Sequence, residues 1–527
     1  MIHERFLRAG LPRLLWQLPT GALLLTLCLA SGPIRAEETL VPALPETASL
    51  PAIDFDSALE IATPAPLDPV DADRYMQIFG LQADAEWLEA DAVIGRLTDL
   101  RLLGHVLADR YLSPTYRTSY RELRDWLARY GDHPDAPRLY DLALTRLPAG
   151  TEPPPEPTVS TFRGGTPDAG TGSDSGGWSE GLDAWRANDA IAAAQLFEQA
   201  AGTASDIWVR SAAAYWAARS HLRARQPEEV SRWLRIAAEE PRSFYGQLAR
   251  RALGLEASFD WQPLVLSSEG AQSLMKSRIG QRALSLLQIG QERRAAAEFH
   301  ILRPKASPVL LEAMLAVAER YALPSFVMAA GSVVEEVTGG RIDEALYPLP
   351  KWAPHGGFSI DRALLYAIAR QESGFNPSAQ NPSGATGLMQ IIPSTAAAVA
   401  RNLGISGPDL RDPVMSLTLG QEYLRMLLAD SNVSNDLFLM TIAYNAGPGN
   451  LAKWRKQFSY DDDPLLFIES IPSRETRLFV ERVMAGLWIY QARLGQPALS
   501  LDAVASGAWP TYQSQDAATV AASDVAN

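Results

Sequence analysis

Glutamates that interrupt apolar helix faces are the residues here most able to do chemistry. In the stretch SIDRALLYAIARQESGF, Leu364, Ile368 and Glu372 are spaced i, i+4, i+8, with Leu365 and Ala369 beside them. The spacing predicts a helix whose apolar stripe runs into Glu372 near its C-terminal end, just before Gly374. A carboxyl group there loses hydration, and the negative end of the helix dipole adds to the cost of ionising it. Both effects raise its pKa, and a carboxylic acid still protonated near neutral pH can serve as a general acid. A solvated glutamate at an ordinary helix end is the competing reading of the same spacing.

A second carboxylate shares the pattern. Pro472 and Ser473 open a helix striped by Phe479, Val483, Gly486, Leu487 and Tyr490, and Glu475 lies four residues before Phe479 on that face. In the first turn the dipole favours a carboxylate, which would also explain Glu475 without any catalytic task. Between the two lie polar, glycine-containing turns: NPSGATGLMQ (381–390), with Asn381 and Gln390, and AYNAGPGN (443–450), with Tyr444 and Asn445. The latter closes a helix striped by Leu437, Met440 and Tyr444, with Gly447 as its cap and Pro448 stopping continuation. Amide, hydroxyl and aromatic groups on such turns suit hydrogen bonding and stacking on sugars, although singly they are helix caps. The six histidines (His3, His105, His133, His221, His300, His355) are scattered with no HExxH, so no metal site is expected. Asp461 to Asp463 read as a solvated acidic turn, and Trp454, Phe458 and Tyr460 as packing residues.

These residues sit in a chain of 527 residues, enough for two to four domains at about 100–200 residues each. Hydrophobic residues make up 47% and charged residues 20%, which excludes whole-chain disorder. The formal charge of −14 lacks the basic footprint of a general nucleic-acid binder, so no nucleic-acid partner is expected. The single cysteine, Cys28, excludes a disulfide framework. Residues 1–36 read as a secretory signal, with Arg5, Arg8 and Arg13 ahead of the apolar GALLLTLCLA and small residues after it. Gln17 and Pro19 interrupt the stretch too early for a membrane span of about 20 residues, so no stable membrane anchor is expected after cleavage. Export would also remove Cys28 and leave no thiol to mispair in an oxidising compartment.

The remaining chain divides by composition. Residues 37–147 hold a Pro/Ala-rich leader and then a helical segment whose stripe is Leu123, Trp126, Leu127 and Tyr130. Residues 148–177, with PPPEP and GTPDAGTGSDSGG, offer too little apolar surface to order themselves and read as a disordered linker. Residues 178–345 are helical. There Leu196, Phe197, Ala200 and Ala201 are matched 37 positions later by Trp233, Leu234, Ala237 and Ala238, as in stacked helical hairpins. After a Pro-rich joint come 346–495 with the candidate site, then an Ala/Ser/Asp-rich stretch, 496–527, expected as a disordered tail. The fold class expected is mainly all-α.

The ordered set QESGFNPSAQNPSGATGLMQIIPSTA, AYNAGPGN and IPSRETRLFV, spread over about 110 residues, resembles the lytic transglycosylases of the soluble, periplasmic type. WAARSHLRARQPEEVSRWLRIAAEEPRSFYGQLA is similar to that family's α-superhelical region, and LYPLPKW to the segment entering its catalytic domain. The resemblance implies an N-terminal α-superhelical scaffold and a C-terminal goose-lysozyme-like domain. It also implies a periplasmic enzyme that needs no cofactor and cleaves the MurNAc–GlcNAc bond of peptidoglycan glycan strands with 1,6-anhydromuramic acid ends. Carried over by position, Glu372 is the single catalytic acid/base, and Gln390, Tyr444 and Glu475 line the sugar groove. Asn445 belongs to the same motif. The family often has Ser where this chain has Asn381, and Met where it has Ile392, departures that bear on subsite preference and leave the chemistry alone. The alternatives are a hydrolytic muramidase and a non-catalytic glycan-binding scaffold. Other cell-wall enzymes are the partners such a helical scaffold would take.

Overall fold

Apolar runs of helical period become helices along nearly the whole described chain. The computed structural model describes residues 61–159, 177–256 and 258–516. The expected signal segment, the leader as far as residue 60, residues 160–176 of the expected linker and residues 517–527 lie outside them. Among the described residues there are 24 α-helices and no strand, only isolated bridges.

Helices between 69 and 145 begin the described chain. Tyr120–Tyr130 opens with a capping box, in which Ser119 and Glu122 satisfy each other's backbone N–H groups, and it buries Leu123, Trp126 and Leu127. This segment packs on the later helices of the array: Tyr75, Phe79 and Val106 share a core with Leu274, Leu286, Phe299 and Phe326. The hairpins predicted from the 37-residue spacing are present, as Trp178–Arg186 with Ala190–Thr203 and Ile207–Arg223 with Pro227–Ala237. Phe197, Ala200 and Ala201 in one and Trp233, Ala237 and Ala238 in the next are buried. The alanines let neighbouring helices approach closely.

Cores do not follow the compositional boundary at 345. Residues 182–249 share one continuous core with 346–504, and 266–345 shares another with 67–106. At the first junction the ring of Phe244 stacks on Trp488 (centroids 5.2 Å apart, 18° between planes). The Gln247 amide donates to the Ala485 carbonyl at 3.1 Å, and the Tyr245 hydroxyl donates to Glu469.

Two expectations change at the far end. Asp461 to Asp463 are not merely a solvated turn: Asp463 caps the helix Pro464–Ser470 and pairs with Arg219 of the array at 2.6 Å. The expected disordered tail is ordered as far as residue 516. It forms the helix Leu499–Ala505, then packs Trp509 against both Tyr460 and Phe467 (centroids 5.9 and 5.8 Å away), with its indole N–H on Asp462 at 2.9 Å. Composition misleads here because the polar side chains of this stretch serve as hydrogen-bond partners to the domain.

Candidate active site

Glu372 is the penultimate residue of the helix Arg362–Ser373. From Ala363 to Arg370 every residue of that helix is buried, so it is a core helix rather than a one-faced one. Gly374 ends it in the left-handed region (φ 56°), where its N–H reaches the carbonyls of Ala369 and Arg370. A side chain at Gly374 would also meet the tip of Met328, 2.7 Å from the position of its Cβ. The helix lies close against Arg474–Arg493, and a Cβ built on Gly486 would stand 3.3 Å from the Ala367 methyl.

Burial is the main cause that pushes the Glu372 carboxyl up to about 8, and the charge of Glu475 adds to it. Glu475 is exposed, in the first turn of Arg474–Arg493. Tyr444 is the third member of the group. Its phenol is pushed well above the ordinary range by burial and then by the nearby Glu372. Its ring lies parallel to Phe479 (centroids 6.2 Å, 5°) and tilted on Tyr423 (5.4 Å), and its hydroxyl donates to the Met389 carbonyl at 2.6 Å.

The remaining expected residues frame this group through turns. Gln390 is held at positive φ (44°) and its amide donates to the carbonyls of Ala379 (3.0 Å) and Gly387 (2.9 Å), folding the loop on which it sits. Asn381 is exposed, and its Oδ1 accepts from the Ala385 N–H at 3.0 Å in the same loop. The Thr476 hydroxyl donates to Asn445 Oδ1 at 2.7 Å, which ties the 443–450 turn to the helix start that bears Glu475. Tyr444 and Glu475 are thus each brought within electrostatic reach of Glu372, while Asn381, Gln390 and Asn445 brace the loops on which they sit.

Sequence reasoning missed the residues behind these loops. The Ser373 hydroxyl donates to Leu388 O (2.8 Å) and Ala369 O (3.0 Å), joining the end of the Glu372 helix to the Gln390 loop. In Pro413–Ala429, Ser416 accepts from Met389 N–H at 3.2 Å, Gly420 leaves room for the Met389 side chain, and Tyr423 meets Tyr444. Their i, i+4, i+7 spacing was the available signal. Two of the scattered histidines also meet. His105 and His133 lie with ring centroids 3.9 Å apart, and His105 Nε2 is 2.7 Å from Glu298. Arg282 donates to both oxygens of Glu298 (2.7 and 2.8 Å) and to Asp132 (3.0 Å). Arg282 thus answers the charge of Glu298, and His105, His133 and Glu298 come together with ligand-like spacing in the seam between the first helices and the array, a grouping their scatter in the sequence did not suggest.

A family model described as Transglycosylase SLT domain matches residues 354–466. The chain is 36% identical over 155 residues to the soluble lytic murein transglycosylase of Escherichia coli, a stretch covering 29% of this chain and 24% of that protein. The sequence match thus spans about a quarter of the relative's length. Among solved structures, the 70 kDa soluble lytic transglycosylase from Escherichia coli aligns at TM-score 0.52 and 20% identity, covering 81% of this chain and 72% of that one. An inactive mutant of lytic transglycosylase Slt from Pseudomonas aeruginosa aligns at TM-score 0.51 and 23% identity, covering 81% and 69%. These two likenesses show the fold: an all-α array carrying the helical domain that holds Glu372.

Proposed function

We propose that this protein is a lytic transglycosylase of bacterial peptidoglycan, with Glu372 as its only acid/base. The observation that carries the reading is the Glu372 carboxyl, pushed up to about 8 by burial and by Glu475, within the stretch 354–466 that the Transglycosylase SLT model matches. In the first step the Glu372 carboxyl gives its proton to the glycosidic oxygen between N-acetylmuramic acid and N-acetylglucosamine, and the bond to muramoyl C1 breaks. The carboxylate so formed takes the proton of the muramoyl C6 hydroxyl while that oxygen bonds to C1. A 1,6-anhydro ring closes, Glu372 is protonated again, and no water is consumed. The substrate supplies its own nucleophile, so one carboxyl group suffices and no cofactor is called for.

Tyr444, beside Glu372, and Gln390 line the groove in this reading, while Asn381 and Asn445 shape its loops. The substrate lies outside the cytoplasm, so export through residues 1–36 to the periplasm is part of the proposal. The helical array is the surface on which other cell-wall enzymes would dock.

Glu475 supports a second reading, because its charge already reaches Glu372. A hydrolytic muramidase would use it to activate water. Digestion of sacculi in oxygen-18 water decides between them. Anhydro ends without heavy label are expected; reducing ends carrying oxygen-18 as the main product would overturn the transglycosylase reading.

A further inference from the structure

Asp361 stands at the N-cap of the Glu372 helix, yet its carboxylate makes no capping bond to that helix. It accepts instead from a segment about 150 residues later: from the Ser514 hydroxyl (2.7 Å) and the backbone N–H groups of Gln515 (2.8 Å) and Asp516 (3.2 Å). The cap is supplied in exchange. The Asp516 carboxylate accepts the Arg362 backbone N–H at 2.8 Å, in the first turn of the helix, where a negative group meets unpaired donors and the positive end of the dipole. Gln496 holds Asp516 from the other side at 2.7 Å, and the Tyr512 phenol accepts the Asp361 N–H at 3.2 Å.

The same segment also holds the start of the Tyr444 helix, Leu437–Ala446. The Pro510 carbonyl accepts the Leu437 N–H at 2.8 Å, and Thr511 bridges to Asp436, that helix's N-cap. Asn435, one residue earlier, exchanges two bonds with Tyr512, both 2.9 Å. Both helices therefore run from residues 509–516 towards the site, and each carries one member of the Glu372–Tyr444 pair in its last turn. At 1.5 Å per residue the spans are about 16 Å from Asp361 to Glu372 and about 12 Å from Asp436 to Tyr444. A helix of that length is stiff, so a shift or rotation at its start is delivered at its end.

We infer that residues 509–516 are a positioning clasp: by capping both helices at once they fix Glu372 and Tyr444 relative to each other. The segment touches no reacting atom and lies beyond the 354–466 match. Its catalytic consequence rests on the functional reading above; its structural consequence does not.

The test uses the full chain with Asp516→Ala, which removes the trans cap, and Asp516→Asn, which keeps an acceptor for the Arg362 N–H. Misplacement of a reacting group by 1 Å can cost about 100-fold, so for Asp516→Ala kcat on soluble glycan chains is expected to fall at least ~10-fold with KM within ~2-fold. Asp516→Asn should recover most of the loss. In the same proteins, hydrogen exchange should speed by ~10-fold or more at the starts of both helices and stay unchanged in Arg474–Arg493. Unchanged exchange at both starts overturns the clasp, as does a loss of activity that merely tracks the unfolded fraction. If the unaltered enzyme is inactive on peptidoglycan, the functional reading falls and the exchange result alone decides the clasp. Should Asp516→Ala not fold, Ser514→Ala, which removes one hydroxyl from Asp361, is read by the same two measurements.

Discussion

The hydroxyl of Tyr444 donates to the carbonyl of Met389 at 2.6 Å and so ties the end of one site helix to the loop that carries Gln390. Tyr444→Phe keeps the ring stacked on Phe479 but leaves that carbonyl without its donor. Thermal unfolding should report a loss of about 1 kcal/mol, the usual net worth of such a bond. Turnover should fall by about 10-fold or more as the loop loosens around the substrate. Wild-type turnover in Tyr444→Phe would show that the bond does not order the site.

Glu372→Gln is nearly isosteric and should cut turnover about 10²–10⁴-fold with glycan binding retained. It should also stabilise the protein, for a reason of sign. Between pH 4.5, the ordinary value, and about 8 the folded protein keeps a proton that the unfolded chain has released. Rising pH therefore erodes stability through this group over that window, and glutamine has no such slope. Denaturant titrations should find the variant equal to wild type near pH 4 and about 1–3 kcal/mol more stable at pH 7. A variant less stable at pH 7 would contradict a protonated Glu372 in the folded protein.

Activity that needs protonated Glu372 should decline above pH about 8. Glu475→Gln removes the nearby negative charge, so the basic limb of the kcat/KM profile should move to lower pH. Burial is the larger cause, and the limb should remain well above the ordinary carboxylate range. A limb that stays in place while turnover collapses would mark Glu475 as a base in its own right.

Gly486 lets the Glu475 helix lie against Ala367 of the Glu372 helix. Gly486→Ala asks the Ala367 methyl to yield by a few tenths of an ångström, whereas Gly486→Leu must part the two helices. The leucine variant should lose about 1–3 kcal/mol in chemical denaturation and more in kcat than in KM. Equal stability of the two variants would mean the helices are free to separate.

How much of this was legible in sequence depended on the distance between partners. Glu372 stands out in the sequence because its helix continues an apolar run, although the helix is buried from every side and not along one stripe. Glu475 was expected on the apolar face by its spacing to Phe479. It is exposed, whereas Thr476, one residue on, is the buried residue of that first turn and bonds Asn445. The hairpins showed as a 37-residue period because their contacts are local. His105 and Glu298 lie 193 positions apart, and Asp361 and Ser514 lie 153 apart. No periodicity spans such intervals, so the histidine cluster and the order of 496–516 could not be read from spacing.

The shared core around Phe244 and Trp488 sets what counts as a molecular part. Cutting the chain before 346 would strand Trp488, Ala485 and Glu469 without Phe244, Gln247 and Tyr245, and would open an apolar face to water. The array from 182 to 249 is therefore half of the wall on which the site helices rest. Heat or denaturant should melt the two stretches together in a single cooperative transition. A load borne by the hairpins would reach the Arg474–Arg493 helix through the Phe244–Trp488 stack and the Gln247–Ala485 bond.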